Sequence, residues 1–309
     1  MAISTDTKRG RALGRTASRR ATEVVVRALV FACGWLAIVI LAAIAVFLLT
    51  NGLRSIDEVG LGTMLTGTSW YPTSNNAQFG FLPLILGSLF VTGVALVVSV
   101  PVGVGAAVYL SEFAGRGFKE VAKSVVEFMA AVPSVVYGLI GVAVLIPWVR
   151  TTFQLDSGMT ALTGGIVLGV MSIPTVLSIS EDALHAVPES LRQASLALGN
   201  TRWQTTYKVV VPAASSGIFA AVMLGLGRAI GETMAVLMLT GNAAVMPTGV
   251  FESVRTMTGT IAAEMGEVVR KGLHYSALFS VGLVLFAMTF AINLAADLVL
   301  ERQRKRWRR

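Results

Sequence analysis

Six long apolar stretches decide what this chain can become. They lie near residues 29–49, 84–110, 125–149, 162–179, 213–240 and 275–298. Each can cross a hydrocarbon layer about 30 Å thick, which takes roughly 20 helical residues. No water in that layer satisfies backbone N–H and C=O groups, so the stretches must be internally bonded helices. Of the 309 residues, 54% are hydrophobic and only 14% charged, which removes the chain from the soluble globular class. The expected fold is all-α and integral to the membrane, with six transmembrane helices. Pro101, Pro133, Pro174, Gly225, Gly227 and Gly231 fall inside the stretches. They predict kinks and close helix contacts, tolerated where neighbouring helices satisfy the freed backbone.

A net charge of +8 could suggest nucleic acid, but the positions of the 25 Lys and Arg argue against that partner. Seven precede the first stretch, three lie in 111–124, three in 180–212 and six after Leu298. The alternate loops 50–83, 150–161 and 241–274 hold one, one and three, and Arg228 lies inside a stretch. This positive-inside pattern predicts a multi-pass protein of the cell membrane with both termini and the 180–212 loop cytoplasmic. The basic tail 302–309 suits anionic headgroups of the lipid membrane. Residues 1–27, rich in Arg, Ser and Thr, read as a mobile basic cytoplasmic arm to which no structure is assigned. One transmembrane domain, 28–309, follows, with a core over about 79–298 and its main cytoplasmic loop over about 180–212.

The first apolar run, about 21 residues, exceeds the 7 to 15 of a signal peptide, and no clear small-x-small site follows, so an uncleaved anchor is expected. Cys33 is the sole cysteine, which rules out an intrachain disulfide. No Gly-(four)-Gly-Lys-Ser/Thr loop occurs, so ATP hydrolysis by that route is not expected of this chain. His185 and His274 fall in loops on opposite sides, leaving a Ser-His or metal centre without parts. The chain is therefore read as no enzyme, with no metal or cofactor of its own. In the outer loops, Trp70-Tyr71-Pro72 and Phe79-Gly80-Phe81 read as an aromatic interfacial belt. Glu252, Arg255, Glu264, Glu267, Arg270 and Lys271 suit either a docking surface or plain solvation.

The 180–212 loop has internal order. Pro188 and Glu189 suit a first helical turn, and a helix over 188–198 would be about 16 Å long. Gly199 breaks it. Thr201 and Gln204 then form a capping box for a second helix. Within the fifth stretch, Arg228 and Glu232 are four residues apart, a spacing that puts both side chains on one helix face. A central arginine costs about 2.5 to 3.5 kcal/mol on insertion scales, so it calls for a water-filled path, a partner or both. One reading is a self-neutralising pair that only joins helices, although the arginine-first order is the weaker orientation. The other makes them a substrate path: Arg228 offers a fork of donors to a crossing oxyanion and Glu232 keeps it from being held too tightly.

Gln193-Ala-Ser-Leu-Ala-Leu-Gly199, nine residues and Val209-Val-Val-Pro212 resembles the loop signature of bacterial ABC-importer permeases, Glu-Ala-Ala-(three)-Gly-(nine)-Ile-x-Leu-Pro. Ala194, Gly199 and Pro212 match; Gln193 replaces the glutamate and Ser195 the second alanine. Gly227-Arg-Ala-Ile-Gly-Glu-Thr-Met-Ala-Val is similar to the signature of phosphate-importer permeases, the PstC type more than the PstA type. Phe79-Gly-Phe-Leu-Pro-Leu-Ile, Val100-Pro-Val-Gly-Val-Gly-Ala-Ala-Val-Tyr-Leu-Ser-Glu-Phe, Val132-Pro-Ser-Val-Val-Tyr-Gly-Leu and Ser180-Glu-Asp-Ala-Leu extend the resemblance over most of the chain. It implies a type I importer permease with a five-helix core and an added N-terminal helix. The implied partners are a PstA-like homologous permease, a PstB-like ATPase dimer binding ATP and Mg, and a PstS-like extracytoplasmic phosphate-binding protein. The 188–198 helix would be the coupling helix. Sulfate or molybdate is the alternative substrate, and a secondary transporter the alternative class.

Overall fold

The computed structural model describes the backbone of residues 6–307 and the side chains of 23–298 and Glu301. Two compact units divide the chain, Met1–Asn51 and Gly52–Arg309. Helix α1 (Asp6–Val59) supplies the described part of the first unit. No residue of 23–51 is buried. Where the sequence assigned no structure to 1–27, the backbone is helical from Asp6, since Arg, Ala and Leu are good helix formers and no proline interrupts them. Residues 1–5 lie outside the described residues, as do the side chains of the 302–309 tail.

The second unit continues with α2 (Leu61–Thr66), β1 (Trp70–Tyr71) and β2 (Gln78–Phe79), then α3 (Leu82–Glu112), α4 (Arg116–Ala131), α5 (Ser134–Ile140), α6 (Ile146–Thr152) and α7 (Ala161–His185). Then come α8 (Glu189–Ala197), α9 (Arg202–Thr205), α10 (Val211–Ala213), α11 (Ser215–Gly231), α12 (Met234–Leu239), α13 (Met257–Glu264) and α14 (Leu273–Trp307). The two short strands pair antiparallel, Trp70 opposite Phe79. Among the described residues five helical segments are long and apolar enough to cross a membrane, and the pair Arg202–Ala213 and Ser215–Gly231, bent by 69°, makes a sixth when taken as one span.

Two of the expected stretches are not continuous helices. The third begins at Ser134 rather than near 125, because Pro133 forces Val132 into extended backbone and ends α4. The detached α4 is amphipathic and has no buried residue; Phe118, Val121, Val125 and Phe128 are exposed along it. The fifth stretch bends at Ala214 and breaks again after Gly231. Segments of π-helix, Gly141–Leu145 and Thr206–Val210, lie just before Pro147 and Pro212. Each proline lacks an N–H and crowds the carbonyl four residues back, so the ladder widens there.

α3 and α7 run side by side and parallel, and α11 packs on both. A Cβ on Gly169 would meet Val98 at 2.7 Å, so glycine is what lets these backbones approach. Their shared core includes Val91, Ala95, Leu168, Met171 and Leu239. A second core gathers Met64, Trp70, Phe81, Leu84, Met257 and Leu278. The aromatic residues read as an interfacial belt are largely inside it: Trp70 is 1% exposed and Phe81 0%. At 31 residues, α3 spans about 45 Å. Ser88 near its start receives the N–H of Met257, and Glu112 at its end receives Arg192, so α13 and α8 sit at opposite ends of this unit.

Candidate functional site

The α8 loop is built from local bonds. α8 begins at Glu189, as the sequence predicts, with Pro188 one place earlier as the extended cap and not in the first turn. Gly199 then takes φ +84°, a left-handed conformation that costs a side-chain-bearing residue, and the N–H of Gly199 bonds to the Leu196 carbonyl. Both arms of the capping box form: the Gln204 N–H donates to Thr201 Oγ1 at 3.2 Å and the Thr201 N–H to Gln204 Oε1 at 2.9 Å. Gln193 and Ala194 are exposed. Ser195 is buried, its hydroxyl bonded to Thr205 at 2.9 Å and receiving Asn200 at 3.2 Å, so it ties α8 to α9 and faces inward. Pro212 sits two residues before the bend at Ala214. Leu191, Leu196 and Leu198 stand exposed, Leu198 at 84%, an apolar surface on the outside of the loop.

Tertiary bonds then fasten α8 to the bundle. Arg192 ion-pairs with Glu112 of α3 at 2.9 Å and donates to the carbonyls of Leu184, in the last turn of α7, and of Val187, just beyond it. One guanidinium fork thus joins three helices. Beside it, Glu181 of α7 is buried and pairs with Lys119 and Lys123 of α4 at 3.0 and 3.3 Å. His185 Nε2 accepts from Lys119 at 2.6 Å, leaving Nδ1 to donate to the Glu181 carbonyl. A cavity of about 620 Å³ between these ends is lined by Glu112, His185, Arg192 and Arg202. The Arg192–Glu112 pairing is not legible in the sequence, because 80 residues separate the two and no spacing links them. The one signal lies at Glu112, a charge immediately beside the apolar stretch that ends near 110.

Arg228 and Glu232 do not share a helix face. α11 ends at Gly231, and Glu232 is extended with φ −69° and ψ 138°. The four-residue spacing fails here because it requires an unbroken helix. Arg228 is exposed in the last turn of α11, where a cation suits the helix dipole. It makes no hydrogen bond or ion pair among the described residues. Of the three glycines expected to allow close approach, Gly225 does so, since a Cβ there would meet Val176 at 2.6 Å. Gly227 and Gly231, beside Arg228, face open space. The Glu232 carboxylate accepts the N–H of Ala235, in the first turn of α12, at 3.4 Å. The outcome is one free cation presented at a break, with its expected partner engaged elsewhere.

At the far end the charges of the 241–274 loop divide: Arg255 and Glu264 pair internally, while Glu267, Arg270 and Lys271 are exposed. Glu264 closes α13 and accepts from Trp70 Nε1 at 3.1 Å, His274 Nε2 at 2.8 Å and Arg255. Arg255 also donates to the Asn242 carbonyl at 3.0 Å. His185 and His274 belong to separate clusters, as their loop positions suggest.

Known proteins resemble this arrangement. The model of the family described as "Binding-protein-dependent transport system inner membrane component" matches residues 99–309. The chain is 40% identical over 279 residues to a probable ABC transporter permease protein, YqgH, of Bacillus subtilis, covering 90% of each chain. It is 34% identical over 300 residues to the phosphate transport system permease protein PstC of Mesorhizobium japonicum, covering 91% of this chain and 90% of that one. Against PstC 2 of Mycobacterium tuberculosis, identity is 36% over 286 residues, covering 86% and 87%. Among solved structures, a bacterial alginate ABC transporter in complex with its pentasaccharide-bound periplasmic protein aligns with TM-score 0.58 at 15% identity, covering 87% of this chain and 94% of that one. The inward-facing MetNI methionine transporter aligns with TM-score 0.54 at 20% identity, covering 72% and 96%. These structural likenesses show the fold.

Proposed function

The chain belongs to the family of binding-protein-dependent transport system inner membrane components, and from that premise we infer that it is the membrane permease subunit of an ATP-driven phosphate importer. The observation that carries the reading is Arg228, a guanidinium left free on a membrane helix beside a backbone break and two uncovered glycines. Such a group is costly in lipid and useful in a path for an oxyanion. Relatives named for phosphate transport, aligned along nine-tenths of the chain, supply the substrate.

In this reading the termini and the α8 loop are cytoplasmic, as the charge pattern requires. α8 is the coupling helix, offering Gln193, Ala194 and the exposed leucines to a groove of a PstB-like ATPase dimer, which binds ATP and Mg and performs the hydrolysis. Arg192 makes α8 rigid with α3 and α7, so displacement of α8 moves helix ends and not only a loop. A PstA-like permease completes the path, and a PstS-like binding protein delivers phosphate at the α13 end. Arg228 binds the anion by bidentate hydrogen bonds as it passes.

The test is uptake of radiolabelled phosphate by cells lacking this chain, with and without the restored gene, in excess sulfate or molybdate. Rescue insensitive to both anions is expected. Rescued uptake suppressed by sulfate or molybdate would assign the path to that oxyanion, and unchanged uptake on deletion would remove phosphate as the substrate.

A further inference from the structure

The break after Gly231 leaves carbonyls without helical partners, and one of them has a specific outside donor. Thr258, in the first turn of α13, donates its hydroxyl to the Glu232 carbonyl at 2.8 Å across 26 residues of chain. No backbone N–H is bonded to that carbonyl among the described residues. The α13 turn is itself held at both sides. Thr256 caps it by accepting the N–H of Gly259 at 3.1 Å, and the N–H of Met257 reaches Ser88 of α3 at 3.0 Å. Glu264, at the other end of α13, is fixed by Trp70, His274 and Arg255. The hydroxyl therefore comes from a braced element, while the segment it holds carries Arg228 one turn upstream.

We propose that Thr258 is a positioning residue for transport: its hydroxyl holds the Glu232 carbonyl, which keeps the α11–α12 break in place and so aims Arg228. This rests on the reading of Arg228 as part of the anion path. Leaving a carbonyl unpaired away from water favours any rearrangement that re-pairs it, and winding α12 back towards Glu232, so that the Val236 N–H reaches that carbonyl, would do so. That change moves the chain at the end of α11 and turns the free guanidinium away from its aim. Valine is close to threonine in shape and removes the hydroxyl, and with it the donor to Glu232 and a 3.3 Å contact to the Thr256 hydroxyl.

The experiment compares Thr258→Val and Thr258→Ser in the intact importer in cells, with inorganic phosphate as the probe. Thr258→Val is expected to lower maximal uptake about tenfold, with little change in the phosphate concentration at half-maximal rate and an unchanged amount of chain recovered with the ATPase. Thr258→Ser restores the rate. A second measurement places Arg228→Cys in a Cys33→Ser background and follows labelling by a charged thiol reagent. Adding Thr258→Val is expected to change that rate about fivefold or more, and adding Thr258→Ser to leave it alone. Normal uptake with Thr258→Val, loss that only tracks a smaller amount of assembled complex, failure of serine to restore, or an unchanged labelling rate would each overturn the proposal. A wild-type importer that carries no phosphate would overturn the substrate assignment alone, and the labelling comparison would still decide the role of Thr258.

Discussion

The α8 loop and the α11–α12 break are both interruptions of helix, yet they are held by different kinds of contact. In the loop, Gly199, Thr201 with Gln204, and Ser195 with Asn200 and Thr205 are bonded within ten residues of one another. At the break, the Glu232 carbonyl depends on Thr258 and the neighbouring Arg228 bonds to nothing among the described residues. The loop has the rigidity expected of a lever, and the break presents a group ready for a ligand. Rigidity from local bonds survives motion of the surrounding helices, whereas an end held from a distant helix responds to it.

Substitutions should separate the two regions, and the largest effect is expected at the break. Arg228→Gln should lower phosphate uptake by about a hundredfold or more, with normal assembly because Arg228 makes no hydrogen bond or ion pair among the described residues. Uptake assays beside recovery of the complex check this, and a parallel fall in both would make Arg228 structural. In the loop, Arg192→Met leaves Glu112 largely buried without its counter-charge, at about 3 kcal/mol. Loss of ATPase association should follow, and Glu112→Gln in the same chain should restore part of it. Retained association with Arg192→Met alone would show that α8 needs no fastening to α3.

Gly199→Val should cost about 1 to 2 kcal/mol, because φ is +84° there and not because space is short. ATP hydrolysis no longer matched to phosphate uptake is the expected sign; full coupling would mean the loop tolerates another turn. Thr201→Ala removes one arm of the capping box, about 1 kcal/mol, and should give a milder form of the same defect in the hydrolysis-to-uptake ratio. The smallest effect concerns pH in the 241–274 loop. The Thr248 side chain and then its N–H donate to Glu252 and hold its carboxyl below the usual carboxylate range. That contribution is present above the ordinary carboxylate value and is lost as pH falls through the lowered one. With Thr248→Ala, difference infrared spectroscopy against Glu252→Gln should show protonation beginning at higher pH; an unchanged midpoint would assign the shift elsewhere.

Most of the α8 loop was legible in the sequence. Helix propensity, a left-handed glycine and a capping box act between residues a few positions apart, so spacing alone reports them. Ser195 shows the limit: its place in the motif was visible, but its inward direction depends on Thr205 folding back. Arg228 and Glu232 show the opposite case. Four-residue spacing gives a shared face only on an unbroken helix, and this helix ends between them. The belt reading of Trp70 failed for a related reason, since its indole is buried against a carboxylate 194 residues away.

By itself the sequence determined an all-helical membrane chain, the spans to within the two that break, the charge asymmetry and the α8 turn chemistry. These follow from transfer of apolar surface into lipid and from bonds between near neighbours. Tertiary structure decided where helices stop inside the membrane, which charges are neutralised and which remain free. Those outcomes depend on donors from distant segments, because in a layer without water an interrupted backbone can stay interrupted only where the rest of the fold supplies its partners.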